Sequence, residues 1–366
     1  MNYHFAPEKG WMNDPNGLIY FKGKYHAFFQ HNPHDIHWGP MHWGHATSED
    51  LINWKEHEIA LFPNTEYEND GGCFSGSAIE KDGKLYLIYT SVSKKYGQAQ
   101  SIAWSEDGMH FIKYDGNPVI AHFPEDATAD FRDPKVFKYN GEYRMVVGTK
   151  FEDRGRVVQY SSKDLIKWDY LGVLFEDENY DNVIECPDLF MVNGQWILKY
   201  SVIGRKNSRD QFVLGEFDGN KFDAREFLTP EFGPQFYAAQ SFKANGRRIL
   251  IGWLYDWDIK GDLTAESAGV LTVPREVTFE NGQLRLYPVE EARSLLKDIA
   301  KGYSGHGITV AVDANQAGFT IESPVLETSI VHSGAFNKIE LLLDGDTAEI
   351  FVDGGKINYS LNYSGI

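Results

Sequence analysis

Three acidic motifs contain the side chains of this 366-residue sequence that are best suited to catalysis. They are WMNDPNG around Asp14, FRDPK around Asp133 and IECPD around Glu185. Two carboxyl groups facing one cleft can break a glycosidic bond, because one attacks the sugar or activates water while the other protonates the leaving oxygen. A third carboxylate can accept hydrogen bonds from sugar hydroxyls. Taken singly, each motif also fits an ordinary turn, since Asp, Pro, Asn and Gly favour type I turns.

An internal repeat predicts how these motifs are arranged. Five segments share a strand, a tight turn with glycine and a second strand: LIYFKGKYHAFFQ, AIEKDGKLYLIYT, KVFKYNGEYRMVVG, LFMVNGQWILKYS and SFKANGRRILIGW. Their turn glycines, spaced 52 to 60 residues apart, are Gly23, Gly83, Gly141, Gly194 and Gly246. This spacing is close to the period of a four-stranded propeller blade. We therefore predict an all-β chain with a five-bladed β-propeller over residues 1–288.

The acidic residues recur at nearly the same place in the repeat. Asp14, Asp133 and Glu185 precede their turn glycines by nine, eight and nine residues. Because the innermost strands of a propeller line its central channel, the three acids are predicted to converge on one funnel. The same offset in the other two repeats falls on Phe74 and Ser75, and on Tyr237 and Ala238. These blades would offer aromatic and small polar groups to the same pocket.

The last part of the chain differs from the repeats. VEEARSLLK, at 289–297, predicts a short linking helix within residues 289–300, with one apolar face. Residues 301–366 alternate in polarity and predict a small, abridged β-sandwich-like domain. Two sheets of this size have little material for a core, so we expect this domain to pack on the propeller. Its uncovered strand edges would favour pairing with a second copy of the chain as a homodimer.

Composition narrows the function classes. A formal net charge of −18 and a pI of about 5.1 argue against nucleic acid and anionic membranes as partners.

Cys73 and Cys186 are too few for a disulfide framework and are predicted to be buried free thiols. The first dozen residues lack the apolar core of a secretory signal, which favours a cytoplasmic protein, with a secreted protein whose signal has been removed as the alternative. No HExxH, CxxC pair or calcium-loop pattern is present, so we expect no catalytic metal and no cofactor.

In this order, WMNDPNG, FSGS, FRDP and ECPD resemble glycoside hydrolase family 32, the family of invertases, levanases and inulinases. The similarity extends to FYAAQSF at 236–242 and LTVPRE at 271–276. Four ordered motifs are much more specific than any one of them. The resemblance implies a five-bladed propeller followed by a β-sandwich, and hydrolysis of β-fructofuranosides with retention of configuration.

The resemblance also implies roles for individual residues. Asp14 would attack C2 of a terminal fructosyl unit, and Glu185 would protonate the leaving oxygen and then deprotonate water. Asp133 would hold fructose hydroxyls and stabilise the transition state. The positions that match the family's fructose pocket are Trp11, Asn13, Gln30, Trp38, Phe74, Ser75, Arg132, Tyr237 and Trp253.

The sequence departs from the family pattern at two pocket positions. It also does not identify the leaving group of the substrate. Gln235 stands where an Asp commonly precedes the FYA motif, and Ser267 where a Trp is usual. Sucrose, sucrose 6-phosphate, fructo-oligosaccharides, inulin and levan all remain candidate substrates. The basic cluster GRKNSR at 204–209 is interpreted first as solvated surface, with binding of a sugar phosphate as the alternative.

Three rival functions are compatible with the same residues. Transfer of fructose to another sugar would use the same covalent intermediate. An inverting arabinan or xylan hydrolase would use three acids in a five-bladed propeller, but with its carboxyl groups farther apart. A non-catalytic fructan-binding module is disfavoured because all three acids are present.

Overall fold

The computed structural model describes residues 2–206, 208–254, 257, 265–324 and 326–363, and the regular secondary structure of these residues is almost entirely β-strand. Five sheets of the first 288 residues form consecutive blades. The strands of the first three blades are β1 (Gly10–Phe21), β2 (Lys24–Asn32), β3 (His42–Ser48), β4 (Trp54–Glu56), β5 (Gly72–Lys81), β6 (Lys84–Ser93), β7 (Gly97–Ser105), β8 (Ile112–Lys113), β9 (Phe131–Tyr139), β10 (Glu142–Phe151), β11 (Arg154–Ser162) and β12 (Asp169–Asp177).

The fourth and fifth blades complete the ring. Their strands are β13 (Ile184–Val192), β14 (Gln195–Val202), β15 (Asp210–Phe217), β16 (Phe222–Leu228), β17 (Phe236–Ala244), β18 (Arg247–Leu254), β20 (Arg275–Glu280) and β21 (Gln283–Pro288), with β19 (Ser267–Ala268) between β18 and β20 in the chain. The first strand of each blade contacts the first strands of both neighbouring blades, so β1, β5, β9, β13 and β17 form a closed inner ring. Strand β19 lies between two strands of the fifth blade in the chain but belongs to the sheet of the first blade, where it pairs in parallel with β1.

The turn glycines build the hairpins as predicted. In the first blade Lys22 and Gly23 both have positive φ, +47° and +84°, and each of the other four hairpin turns repeats this pair of conformations. Two successive positive φ angles define the type I′ turn, whose twist matches that of the flanking strands. The prediction of five repeated hairpins is therefore confirmed.

A second repeat joins the third and fourth strands of three blades. Asp50, Asp107 and Asp164 each accept hydrogen bonds from backbone N–H groups two and three residues later. This local bonding is typical of Asx turns. The segments SEDLINW at 48–54, SEDGMHF at 105–111 and SSKDLIKW at 161–168 predict outer strands from their sequence pattern. They mainly form the turn that leads to the outermost strand, so this prediction is wrong.

The C-terminal part is a two-sheet sandwich. Its strands are β22 (Lys297–Asp298), β23 (Tyr303–Gly305), β24 (Ile308–Val312), β25 (Gly318–Glu322), β26 (Ile330–Ser333), β27 (Ile339–Asp344), β28 (Thr347–Val352) and β29 (Ile357–Asn362). One sheet has the order β22-β27-β28-β29 and the other β23-β24-β25-β26. Both sheets contribute to a shared apolar cluster, for example through Val310, Ile321, Leu341 and Ile350.

The predicted linking helix is a six-residue 3₁₀-helix, Glu290–Leu295. A second, three-residue 3₁₀-helix, Glu66–Glu68, precedes the second blade. The fold class, a five-bladed propeller followed by a short sandwich, is confirmed. The division of the chain at residues 288 and 300, and pairing with a second copy, stay predictions. The described residues contain no helix long and apolar enough to cross a membrane.

The small sandwich has a core of its own and also makes an apolar contact with the propeller. Val273, which lies between β19 and β20, packs with Leu342 and Phe351 of the sandwich. The expectation that the sandwich depends on the propeller for its core is thus only partly met, because most of its buried side chains face each other between its two sheets.

Candidate active site

All five inner strands are irregular at one level of the funnel. The pairing register of each first strand with the second shifts there, for example between Glu185 and Asp188 in β13 and between Tyr237 and Gln240 in β17. A β-bulge of this kind bends the strand and redirects a side chain. The DPNG sequence after Met12 lies in such a bulged strand, so its interpretation as a turn is wrong.

The bulges decide which side chains share a level. Counting nine residues back from each turn glycine reaches Asp14, Phe74, Arg132, Glu185 and Tyr237, so Arg132 is level with two of the acids. Asp133 stands one residue farther along and adopts a positive φ of +65°, which is uncommon for a residue other than glycine. The strained conformation still directs its carboxylate toward the blade that carries Glu185, as its bonds to Cys186 show.

Asp14 is held by three neighbours. Its Oδ2 atom accepts hydrogen bonds from Ser75 Oγ at 2.5 Å and from Cys186 Sγ at 3.5 Å, while Oδ1 accepts one from Asn13 Nδ2 at 3.0 Å. Burial raises the pKa of Asp14; the Ser75 hydrogen bond opposes this rise and the charge of Glu185 adds to it. Donors on both oxygens fix the rotamer of the carboxylate.

Glu185 is bound on both oxygens by side chains from the neighbouring blades. Arg132 donates to Oε1 from Nε at 3.1 Å and from Nη2 at 2.9 Å, and the Tyr237 hydroxyl donates to Oε2. Arg132 is fixed in turn by Asp130, whose Oδ1 lies 2.8 Å from Nη1. Burial raises the pKa of Tyr237 well above its usual range, and the Glu185 charge raises it further, so this hydroxyl keeps its proton.

Asp133 is buried, with 4% of its surface exposed, and it faces the other two acids. Its Oδ2 atom accepts a hydrogen bond from the backbone N–H of Cys186 at 2.9 Å. Burial raises the pKa of Asp133 to about 7; Arg132 opposes the shift, and Glu185 and Asp14 add to it. Three carboxyl groups thus interact electrostatically in one funnel, as the repeat predicted.

Aromatic side chains line one side of the funnel. The Trp11 ring meets the Trp253 ring edge to face at 5.8 Å, and Trp253 meets Tyr237 at 6.4 Å. The Trp11 indole N–H donates to Asn13 Oδ1 at 2.8 Å. Contacts therefore run without interruption from Asp14 through Asn13, Trp11 and Trp253 to the Tyr237 side chain that binds Glu185.

Three of the predicted pocket residues occupy other positions around the funnel. Trp38 is 46% exposed and meets the edge of Phe74 at 6.0 Å, which places this pair at the rim. Gln30 is buried and donates to the backbone oxygen of Cys73 at 2.8 Å, so it supports the strand that carries Phe74. Gln30 makes no hydrogen bond to any of the three acids within the described part of the chain.

Two residues near the acids were missed or undervalued by sequence reasoning. Trp257 stacks on Trp11 at 5.3 Å with 29° between the ring planes, and a second Trp four residues after Trp253 was the available signal. Cys186, predicted only to be a buried free thiol, donates to both Asp14 and Asp133. Burial raises the pKa of its thiol well above the usual range, so it acts as a neutral hydrogen-bond donor and not as a nucleophile.

The two departures from the family pattern have structural consequences. Gln235 Oε1 accepts a hydrogen bond at 2.6 Å from the backbone N–H of Asn362, so it binds the last strand of the sandwich. Ser267 pairs with Gly10 in the parallel contact between β19 and β1. Neither residue makes a hydrogen bond to the three acids among the described contacts.

The fold and the site together place this protein in a class of five-bladed propellers in which three acidic side chains share one funnel. The chain belongs to glycoside hydrolase family 32, because residues 4–288 match the "Glycosyl hydrolases family 32 N-terminal domain". It is 41% identical over 316 residues to a sucrose-6-phosphate hydrolase of Escherichia coli, covering 80% of this chain and 65% of that protein. The chain thus spans slightly less than two thirds of this relative's length.

Other relatives agree with this membership. A levanase of Bacillus subtilis is 38% identical over 310 residues, covering 76% of this chain and 44% of the levanase. The solved structure of a family 32 β-fructofuranosidase from Bombyx mori superposes with a TM-score of 0.85 at 30% identity, covering 99% of this chain and 88% of that chain. The predicted family resemblance is confirmed.

Proposed function

We propose that this protein is a retaining glycoside hydrolase that releases terminal β-D-fructofuranosyl units. The observation that carries the proposal is the pair of Asp14 and Glu185, held on facing blades by donors to each of their oxygens. Relatives named as a sucrose-6-phosphate hydrolase and a levanase, and the structure named as a β-fructofuranosidase, support a fructoside as the substrate.

In the first step, Asp14 attacks the anomeric carbon of the fructosyl unit. The bond from that carbon to the leaving oxygen breaks as the ester bond forms, and Glu185 gives its proton to the leaving oxygen. Arg132 donates twice to Oε1 of Glu185, so Oε2 is the atom suited to carry the proton. The hydroxyl of Tyr237 holds Oε2 in place.

In the second step, water cleaves the ester. Glu185, now a carboxylate, takes a proton from the water as its oxygen attacks the anomeric carbon, and Asp14 leaves as a carboxylate. Asp133 lies beside both residues and can accept hydrogen bonds from fructose hydroxyls, while its negative charge stabilises the oxocarbenium-like transition state. The indole rings of Trp11 and Trp253 offer apolar faces to the sugar.

Asp14→Asn and Glu185→Gln test these roles. Sucrose, sucrose 6-phosphate, inulin, levan and arabinan would be assayed with the wild-type protein and both variants, and products resolved by chromatography. We expect fructose release to fall at least about 10³-fold with Asp14→Asn, because no nucleophile remains. Asp164→Asn, in a surface turn of the third blade, is the matched control and should keep full activity.

Stereochemistry separates the proposal from its rivals. NMR of the first product should show fructose with its configuration retained. Mass spectrometry of Glu185→Gln, incubated with a fructoside whose leaving group departs without protonation, should find fructose bound to Asp14. An inverted product, or arabinan as the preferred substrate, would favour the inverting hydrolase instead. Fructose release by Asp14→Asn at wild-type rate would refute the nucleophile assignment.

A further inference from the structure

A buried pair of polar side chains in the second blade lies behind the strand that carries Arg132 and Asp133. Thr90 in β6 is the cross-strand partner of Gln100 in β7, and both residues are fully buried. The Thr90 hydroxyl donates to Gln100 Oε1 at 2.8 Å. Because an unbonded polar group is costly in the interior, the other hydrogen-bonding atoms of this pair need partners as well.

Those partners are backbone groups of β9 in the third blade. The backbone N–H of Asp133 donates to Thr90 Oγ1 at 3.0 Å. Gln100 Nε2 donates to the backbone oxygen of Phe131 at 2.8 Å. Thr90 and Gln100, called the clamp below, therefore hold the chain on both sides of Arg132.

The backbone that the clamp holds is strained. Asp133 has a positive φ of +65°, and a residue other than glycine keeps such a conformation only where its surroundings hold it there. The strained residue belongs to the bulge of β9, which turns the Asp133 carboxylate toward the fourth blade. The same bulge places Arg132 Nη2 2.9 Å from Glu185 Oε1. The clamp thus supports two side chains of the proposed mechanism.

The first blade has a polar pair at the same position. Thr90 is the seventh residue after its turn glycine, and the seventh residue after the first turn glycine is Gln30, whose cross-strand partner is Trp43. Gln30 Nε2 donates to the backbone oxygen of Cys73 at 2.8 Å, and the Trp43 indole N–H donates to that of Phe74 at 3.0 Å. This pair holds β5 just before Ser75, the residue that donates to Asp14.

The fourth blade repeats the arrangement with Ser201 and Asp210. The Ser201 hydroxyl donates to Asp210 Oδ1 at 2.6 Å, and Asp210 Oδ2 accepts a hydrogen bond from the backbone N–H of Ala239 in β17 at 2.9 Å. Ala239 follows Ala238, which has a φ of +53°, and Ala238 follows Tyr237. The three pairs therefore hold β5, β9 and β17, the strands whose side chains bind the two proposed catalytic carboxylates.

We propose that Thr90 and Gln100 are positioning residues of the reaction, which hold Arg132 against Glu185 and Asp133 toward the fructosyl unit without touching the substrate themselves. This inference rests on the proposed function. The alternative is that the clamp only stabilises the contact between the second and third blades. Displacement of a catalytic group by about 1 Å slows a reaction by up to about a hundredfold, so a positioning role affects kcat and a purely stabilising role does not.

Thr90→Val tests the proposal, because valine keeps the shape of the side chain and lacks the hydroxyl. The Asp133 N–H would then be buried without its acceptor. With the fructoside that wild type cleaves fastest, we expect kcat to fall by about ten- to a hundredfold. Thr90→Ser keeps the hydroxyl and should recover most of the wild-type kcat. Gln100→Asn has an amide too short to reach both of its partners, and it should lower kcat less than Thr90→Val does.

Ser101→Ala is the matched control. Ser101 follows Gln100 in β7, so its side chain lies on the opposite face of the sheet, and its hydroxyl bonds to that of Ser91 at 2.8 Å. The variant removes a buried cross-strand hydrogen bond of the same sheet. We expect it to lower the thermal unfolding midpoint by a few degrees, as Thr90→Val should, and to leave kcat unchanged.

The values of kcat and KM, with calorimetric unfolding of each variant, separate the outcomes. A destabilised Thr90→Val protein with wild-type kcat would overturn the inference, and so would a Thr90→Ser protein as slow as Thr90→Val. If Thr90→Val does not fold, an unchanged kcat in Gln100→Asn would overturn it equally. These results leave the proposed function intact, whereas a wild-type protein that releases no fructose from any fructoside would overturn both.

Discussion

At the scale of the residue, the Ser75 hydroxyl controls the charge of Asp14. It donates to Oδ2 at 2.5 Å and opposes the rise in pKa that burial and Glu185 cause. A nucleophilic carboxylate must be ionised, so activity falls when acid protonates Asp14. Because the pKa of Asp14 is raised, this loss should begin at a higher pH than for an ordinary aspartate.

Ser75→Ala should move the acid limb of the kcat/KM profile to higher pH. Loss of the hydrogen bond destabilises the carboxylate, so the pKa of Asp14 rises, by about one unit if the bond contributes about 1.5 kcal/mol. Initial rates between pH 4 and 8 measure the shift. Ser91→Ala removes a buried serine of the same blade whose hydroxyl bonds to Ser101 and to the backbone oxygen of Ala99 and, within the described residues, to no acid. It should leave the profile in place. An unmoved limb in Ser75→Ala would contradict this account of Asp14.

At the scale of the element, the contact between the third and fourth blades sets the geometry of Glu185. Gly148 in β10 pairs with Arg132 in β9, and a Cβ atom on Gly148 would stand 2.1 Å from the backbone oxygen of Ile184. Ile184 directly precedes Glu185. The glycine therefore allows the close approach of the strands that carry the two partners of the ion pair.

Gly148→Ala should destabilise the protein and slow catalysis together. Relief of the overlap requires β10 and β13 to separate, which costs about 1–3 kcal/mol by analogy with overpacked cores and lengthens the contact of Arg132 with Glu185. Thermal unfolding and kcat measure the two effects. Gly141→Asn, in the hairpin turn of the same blade, has no atom within 4 Å of its new Cβ but keeps a positive φ of +83°, so it should cost some stability and leave kcat unchanged. A fully active Gly148→Ala protein would show that the blades tolerate this shift.

At the scale of the whole molecule, buried charges join the N-terminal segment, the propeller and the sandwich. His4 contacts Asp344 Oδ2 at 3.1 Å through Nδ1 and Glu349 Oε1 at 2.8 Å through Nε2. Arg275 of the fifth blade pairs with both Glu349 and Glu231, at 2.6 Å and 2.7 Å. Glu349 is therefore a buried carboxylate that pairs with both His4 and Arg275. It links the N-terminal segment and the fifth blade to the sandwich.

His4→Gln should lower the thermal unfolding midpoint in a pH-dependent way. Burial lowers the pKa of His4, but its bonds to Asp344 and Glu349 outweigh this effect, and the net shift is upward. The stability gained by protonated His4 is therefore fully present below the unfolded pKa of about 6.5 and is lost as the pH rises through the folded value. The pKa values of Asp344 and Glu349 are lowered, so their contribution is lost only in acid.

The difference between wild type and His4→Gln should consequently be larger at pH 5.5 than at pH 9, with a cost of up to about 3–5 kcal/mol at pH 5.5, the usual effect of breaking a buried ion pair. Differential scanning calorimetry at both pH values measures it. His37→Gln removes an exposed histidine that pairs with Asp35, and it should have little effect at either pH. A pH-independent difference would argue that His4 acts through packing alone.

The sequence by itself determined the repeat, the type I′ hairpins and the family, because these depend on local chemistry: glycine at positive φ, alternating polarity and ordered motifs. It also placed Asp14, Asp133 and Glu185 in one funnel, since the inner strand of each blade has the same offset from its turn.

Only the tertiary structure decided what each acid contacts. The bulges put Arg132, not Asp133, level with Glu185. Two of the three partners of Asp14, Ser75 and Cys186, come from the second and fourth blades. Contacts between chain segments far apart in sequence likewise decide the roles of Gln235 and Ser267 and the stacking of Trp257 on Trp11. A local sequence pattern specifies where a strand ends in a turn. The partner of a buried charged side chain depends instead on how neighbouring blades pack against each other.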